Sequence, residues 1–100
     1  MMRVIAKRTV KAFWEQPGHS DAQTPLIEWY NMLLKATWAT PNELKADIAT
    51  ASILKGGRVV FNIGGNKYRV IVAVRYDKQI AWVRFIGTHA QYDEVDAETI

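Results

Sequence analysis

The 100-residue chain contains no cysteine. That rules out a disulfide framework, a thiolate nucleophile and a zinc–thiolate centre, and it fits a reducing compartment. Histidine is nearly as scarce, with only His19 and His89, far apart in the sequence. No histidine-based metal site and no bound cofactor is therefore expected. No stretch approaches the roughly 20 apolar residues of a membrane span. Met1–Arg8 (MMRVIAKR) carries charge where a signal peptide would carry an apolar run. A cytoplasmic protein without a membrane partner is the expectation. Internal repeats and low-complexity tracts are missing as well, so residues 1–100 read as one small domain.

Acidic residues are sparse over most of the length. Four of the ten (Asp93, Glu94, Asp96, Glu98) fall in the last eight positions, so residues 1–92 hold 13 basic residues against six acidic ones, a net of +7. A basic body with a pI near 9.3 suits a polyanionic partner, nucleic acid above all. What the chain does have is apolar material: 49% of its residues, including four Trp, four Tyr and three Phe. That is enough to bury an aromatic-rich core, although a domain of this size lies near the small end of what folds alone.

Arg3–Ala6 (RVIA) is a short β-branched run that predicts a first strand. Thr9 can cap a helix in which Val10, Phe13 and Trp14 form one apolar stripe, stopped by Pro17-Gly18. A second helix begins between Ser20 and Thr24 and carries Pro25 in its first turn. Its apolar residues recur at helical spacing from Leu26 to Trp38. Thr40-Pro41-Asn42-Glu43 is a capping signature for a short third helix reaching about Asp47. His19, after Pro17-Gly18, reads as a solvent-exposed loop residue.

Arg58–Tyr92 organises the rest. Strands are expected at Arg58–Ile63, Lys67–Tyr76 and Gln79–Thr88, joined by Gly64-Gly65-Asn66 and by Asp77-Lys78. The glycines supply positive φ in the first turn. With Asp77 and Lys78 as the two loop residues, Arg75 falls opposite Ile80, Arg84 opposite Ile71 and Arg69 opposite Ile86. One face then carries Arg69, Ile71, Ala73 and Arg75 with Ile80, Trp82, Arg84 and Ile86. The other carries Tyr68, Val70, Val72, Val74 and Tyr76 with Ala81, Val83, Phe85 and Gly87, and it is apolar enough to take the helices. Arg69 and Arg84 become diagonal neighbours, roughly 7–8 Å apart at Cα. Two guanidinium groups that close repel unless an anion lies between them, and their donor forks match phosphate. The alternative is that each pairs with a carboxylate. His89 and Tyr92 follow at i, i+3, and on a helical turn they point the same way. Histidine is the usual acid or base near neutral pH.

Val59–Arg69 (VVFNIGGNKYR) and Val83–Asp93 (VRFIGTHAQYD) resemble the HigB family of bacterial toxins, and the Phe13-Trp14, Trp29-Tyr30 and Leu44–Asp47 segments do too. The resemblance covers nearly the whole chain. It implies an α+β, RelE-like fold: a small antiparallel sheet, made of an N-terminal strand and a three-stranded meander, with two main helices packed on one face. It implies the toxin of a type II toxin–antitoxin pair, an mRNA interferase that cuts mRNA in the A site of the 70S ribosome, on its 30S subunit. A HigA-type helix-turn-helix antitoxin would neutralise it. The positions matching the family's catalytic region are Arg69, Arg84, His89 and Tyr92. Asn62, Asn66 and Lys67 match its turn region, and Lys45 and Arg75 are further candidates for RNA contact. RelE-like toxins differ in the side chain that moves the proton, so His89 and Tyr92 both stay open. So does a second class of function, a non-catalytic RNA- or ribosome-binding module or an inactivated toxin kept for operon repression, in which Trp82 would stack a base.

Overall fold

The computed structural model describes all 100 residues. The chain runs β1 (Arg3–Ile5), α1 (Lys7–Trp14), α2 (Gln23–Lys35), α3 (Pro41–Asp47), β2 (Ser52–Ile53), β3 (Arg58–Ile63), β4 (Tyr68–Arg75), β5 (Ile80–Thr88) and α4 (His89–Tyr92). The strands form one sheet in the order β1-β5-β4-β3-β2. No helix is long and apolar enough to cross a membrane.

Two points of the sheet differ from the sequence reading. It has five strands rather than four, because Ser52-Ile53 pairs with Val60 and Val59. It is also not wholly antiparallel, since β1 runs parallel to β5 with Val4 beside Ala81. β1 and β5 are joined through α1, α2, α3 and three strands, and a connection that long can return in either direction, whereas a two-residue hairpin forces an antiparallel partner.

Val4, Val59, Phe61, Ile63, Tyr68, Val70, Val72, Val74 and Ala81 form the inner face of the sheet, as alternation along the central strands predicts. α1 packs on it through Val10 and Phe13, and α2 through Leu26, Trp29 and Leu33. Each side chain of this kind, once fully buried, contributes about 1.5–3 kcal/mol. α1 starts at Lys7 with Ala6 at its N-cap and no side-chain cap, so Thr9 lies inside the helix rather than capping it. Packing of the Val10/Phe13 stripe, not a cap, holds that end. α2 stops at Lys35, where Ala36 turns extended. Trp38 leaves the helix and is pinned in the following loop by donating its indole N–H to Asp47 Oδ2 at 2.7 Å. α3 begins as expected, with Thr40 accepting from the Glu43 backbone N–H at 3.3 Å and Pro41 in the first turn.

The meander strands fall within a residue or so of their expected limits, but the β4–β5 register holds for only half its length. Arg75–Ile80 through Val72–Val83 pair as expected; then Ile71 faces Phe85, Val70 faces Ile86 and Arg69 faces Gly87. Arg84 is the extra residue of a β-bulge. From the bulge onward every β5 side chain changes side. Ile86 joins the helix-covered core, and Phe85 moves to the opposite face with Val60 and Ile71. That opposite face is not bare. Residues 93–100 fold back across it, seating Val95, Ala97 and Ile100 against Val60 and Ile71.

Candidate active site

α4 is a single turn whose placement decides the site. Thr88 and Gln91 form a reciprocal capping box: Thr88 Oγ1 accepts from the Gln91 N–H at 3.2 Å, and Gln91 Oε1 accepts from the Thr88 N–H at 2.9 Å. The Thr-x-x-Gln spacing is a capping signature that the sequence reading passed over. The His89 backbone N–H donates to the Lys67 carbonyl at 3.3 Å, tying the start of α4 to the start of β4. Gly87, opposite Arg69, makes room. A Cβ there would lie 2.5 Å from the Phe85 ring and 2.8 Å from Gln91 Oε1.

Those constraints bring four groups together on the open face. The Arg69 guanidinium lies over the Tyr92 ring, 4.8 Å from its centroid, a cation–π contact. Arg69 Nη2 donates to Asn66 Oδ1 at 2.9 Å, while its Nε is buried without a partner. The His89 and Tyr92 rings sit 6.5 Å apart, edge to face. His89 Nδ1 is 3.3 Å from Asp93 Oδ2, so a carboxylate steadies the imidazole on its outer side. Asn62, exposed on β3, is the cross-strand neighbour of Arg69 and adds an amide to the same edge.

Arg84 belongs to this face by a different route. Alternation carried on from Trp82 turns it to the open side, where it and Phe85 together oppose Ile71. Ile71 is one same-face step from Arg69, about 7 Å along β4. Arg84 is exposed, and the three ion pairs of the chain, Lys67–Asp21, Arg75–Asp77 and His89–Asp93, do not involve it. Arg69 likewise has no carboxylate, so the two arginines are cations free to meet an anion.

The remaining candidates lie elsewhere or are engaged. Arg75 is at the far end of β4, about 20 Å from Arg69 along the strand. It donates to both oxygens of Asp77, at 3.2 and 3.1 Å, which raises its own pKa and lowers that of Asp77. The Lys45 ammonium donates to the Ala49 and Ala51 carbonyls, both at 2.6 Å, and so braces the turn after α3. Lys67 is paired with Asp21, whose other oxygen accepts from the Tyr68 hydroxyl at 2.5 Å. The Lys67 hydrogen bond, then that of Tyr68, holds the Asp21 carboxyl below the usual range. The same carboxylate raises the Lys67 ammonium and, ahead of burial, the Tyr68 phenol. His19 is half-buried rather than solvent-exposed: its ring stacks on Phe13 at 4.4 Å and meets the edge of Tyr68 at 5.8 Å. The segment after Pro17-Gly18 closes over the core, and the imidazole supplies a flat surface there.

Beside α4, a cleft of about 390 Å³ opens between α1 and the end of β5, lined by Phe13, Gln16, Phe85, Ile86 and Gln91 among others. It exists because β1 covers only Ile80–Trp82 of β5, leaving the rest of that edge uncovered by any strand. Sequence reasoning missed two residues that tie distant segments to the sheet, Arg58 and Asp21. Each makes its contact across more than forty positions (42 for Arg58 to Ile100, 47 for Tyr68 to Asp21), beyond the reach of local patterns.

The geometry thus joins an unpaired guanidinium group, an imidazole and a phenol at one margin of the open face, with a second unpaired guanidinium group, that of Arg84, exposed farther along it. Comparison with known proteins identifies the family. The family model HigB_toxin, described as the RelE-like toxic component of a toxin-antitoxin system, matches residues 22–95. The mRNA interferase toxin HigB of Escherichia coli (strain K12) is 32% identical over 95 residues, covering 92% of this chain and 88% of that protein. Proteins named mRNA interferase HigB from Escherichia coli O157:H7 and Shigella flexneri match with the same identity and coverage.

Proposed function

Since the chain belongs to the HigB toxin family, we propose that it is a ribosome-dependent mRNA endonuclease, the toxin of a type II pair neutralised by a HigA-type helix-turn-helix antitoxin. The observation that carries this is the Arg69 guanidinium 4.8 Å above Tyr92, with the His89 ring 6.5 Å from that same ring. In the proposed step the RNA 2′-oxygen attacks its neighbouring phosphorus and the 5′-oxygen leaves, giving a 2′,3′-cyclic phosphate and a 5′-hydroxyl. Arg69 and Arg84 bind the phosphate and offset the charge that grows on it in the transition state, the electrostatic contribution that is usually the largest. His89 or Tyr92 takes the 2′ proton or delivers one to the leaving oxygen. The step needs no metal ion. With only one imidazole and one phenol on hand, the ribosome supplies the alignment of the RNA backbone, and orientation alone contributes several kcal/mol. Asn62 and Asn66 flank the phosphate site as amide donors, and Lys67 lies at the same turn.

The test is a defined message on ribosomes. Cuts are expected in the A-site codon, ending in a cyclic phosphate, and the free message stays whole. Co-production of a HigA-type antitoxin restores growth. Bound protein without cuts would favour the second reading, RNA binding alone. For that reading the relevant observation is Trp82, half-buried on the open face opposite Ala73 and beside Ile5, where an indole face can stack a base.

A further inference from the structure

A four-residue helix does not hold itself together, because one turn cannot recover the cost of its own nucleation. α4 is of that length, yet it ends in Tyr92, whose ring must stay over Arg69. Its capping box and the His89–Lys67 bond fix where the turn begins. What fixes its far end is the segment that follows. Tyr92, Val95, Ala97 and Ile100 pack against Val60 and Ile71 on the open face, and Ala97 is 9% exposed. The chain stays tight between them: the Val95 N–H donates to the Tyr92 carbonyl at 3.2 Å, and the Ile100 N–H to the Asp96 carbonyl at 3.0 Å. At the other end, Arg58 Nη2 reaches from β3 to the Ile100 backbone oxygen at 2.8 Å. The acids Asp96 and Glu98 make no ion pair with the sheet, so the segment is seated by its apolar residues and by that one clasp.

We propose that residues 95–100 are a positioning strap for the catalytic site, with Ala97 as its seat and Arg58 as its clasp, and that the strap holds Tyr92 against Arg69. Arg58 is then not an RNA contact, although it lies on the same face as Arg69. The strap also covers Val60 and Ile71, which leaves phosphate the β5 margin where Arg84 is exposed. The catalytic part of this inference rests on the ribonuclease reading above; the positional part does not.

The experiment uses the full chain with three substitutions: Ala97→Asp, which puts a charge into the Val60/Ile71 seat, Arg58→Ala, which opens the clasp, and Arg58→Lys, which keeps a donor. The first readout is the ring-current displacement of the Arg69 side-chain protons in NMR spectra, with Tyr92→Leu defining the undisplaced position. The second is A-site cutting, resolved into kcat and KM. Ala97→Asp and Arg58→Ala should move the Arg69 protons toward the Tyr92→Leu position and lower kcat by about 10- to 100-fold, the scale of a misplacement near 1 Å, with KM little changed. Arg58→Lys should restore both. If Ala97→Asp does not fold, Arg58→Ala carries the test. A folded variant that keeps the displaced protons and the full cutting rate overturns the proposal. So does a loss through KM alone, which would make Arg58 an RNA contact. If the unaltered protein cuts no message, the ribonuclease reading fails, and the NMR displacement still decides whether the strap positions Tyr92.

Discussion

On one face of the sheet nineteen buried residues form a continuous cluster; on the other, three do. The first face is covered by α1 and α2, with β-branched side chains at alternate positions of β3 and β4 turned toward them. The second has a thin strap, a bulge and five arginines: Arg3, Arg58, Arg69, Arg75 and Arg84. The chemistry of the candidate site lies wholly on the second. Area buried against helices holds the fold, and that allows the opposite face to keep unpaired cations. Stability and activity should therefore separate by face.

The separation is most severely tested by one change on each side. Leu26, fully buried under α2, should lose about 2–5 kcal/mol of stability as Leu26→Ala. That is a large share of what a domain of this size has. Its urea midpoint should fall steeply while the folded fraction cuts message at the normal rate. Arg69→Ala should do the reverse, with cutting reduced by about 10²–10³ and the midpoint nearly unmoved. Arg84→Ala follows the same direction with a smaller loss, because Arg84 lies one step farther along the face. An Arg69→Ala protein that unfolds as readily as Leu26→Ala would erase the distinction between the faces. A folded Arg84→Ala protein that is fully toxic to cells would remove Arg84 from the site.

A gentler change probes the boundary between them. Gly87→Ala adds a single methyl group, within 3 Å of both the Phe85 ring and Gln91 Oε1. The backbone there is extended, so the cost is crowding rather than strain, about 1–3 kcal/mol if nothing yields. Phe85 can yield by turning its ring, and Gln91 by giving up its capping bond from the Thr88 N–H, which loosens the start of α4. Cutting should therefore fall more than the urea midpoint does, and equal losses would mean that α4 does not set the rate.

The helix-covered face was legible in the sequence almost residue by residue. Alternation along Tyr68–Tyr76 sorted the core strand correctly, and Thr40-Pro41 marked α3. The open face was legible only as far as local rules extend. The pairing Arg75–Ile80 follows from the hairpin turn, but the bulge at Arg84 leaves no mark: no glycine or proline stands there. Phe85 and Ile86 are both apolar, so either can face the helices. A one-residue slip reversed their roles without disturbing the hydrophobic pattern. The closing segment was hidden by its own composition. Four acids in eight residues leave its order undecided, and the apolar residues among them, Val95, Ala97 and Ile100, follow neither a helical nor a strand period. The group His89, Tyr92 and Arg69 was found because a helical turn and a strand each obey a short period. Asp21 was not, because nothing local links it to Lys67 or Tyr68.

Asp21 also gives the smallest effect, and it ties the two faces together. Its carboxylate holds Tyr68, 1% exposed and part of the helix-side core, and Lys67, whose carbonyl anchors α4. The Asp21 pKa is lowered in the folded protein. Its contribution to stability is therefore fully present above the ordinary carboxylate value of about 3.9 and is lost as pH falls through the lowered folded value. The Lys67 and Tyr68 values are raised. Their contribution is complete below about 10, the ordinary phenol value, and is lost as pH rises through the raised ones. Between those limits the urea midpoint of the normal protein should be level with respect to this group of side chains, declining on either side. Asp21→Asn should flatten both declines and leave cutting near neutral pH almost unchanged, because Lys67 then keeps its backbone bond to His89 and loses only its ion pair. If the acid decline persists in Asp21→Asn, other carboxylates cause it. If cutting collapses at neutral pH, the ion pair and not the backbone bond is what holds α4 in place.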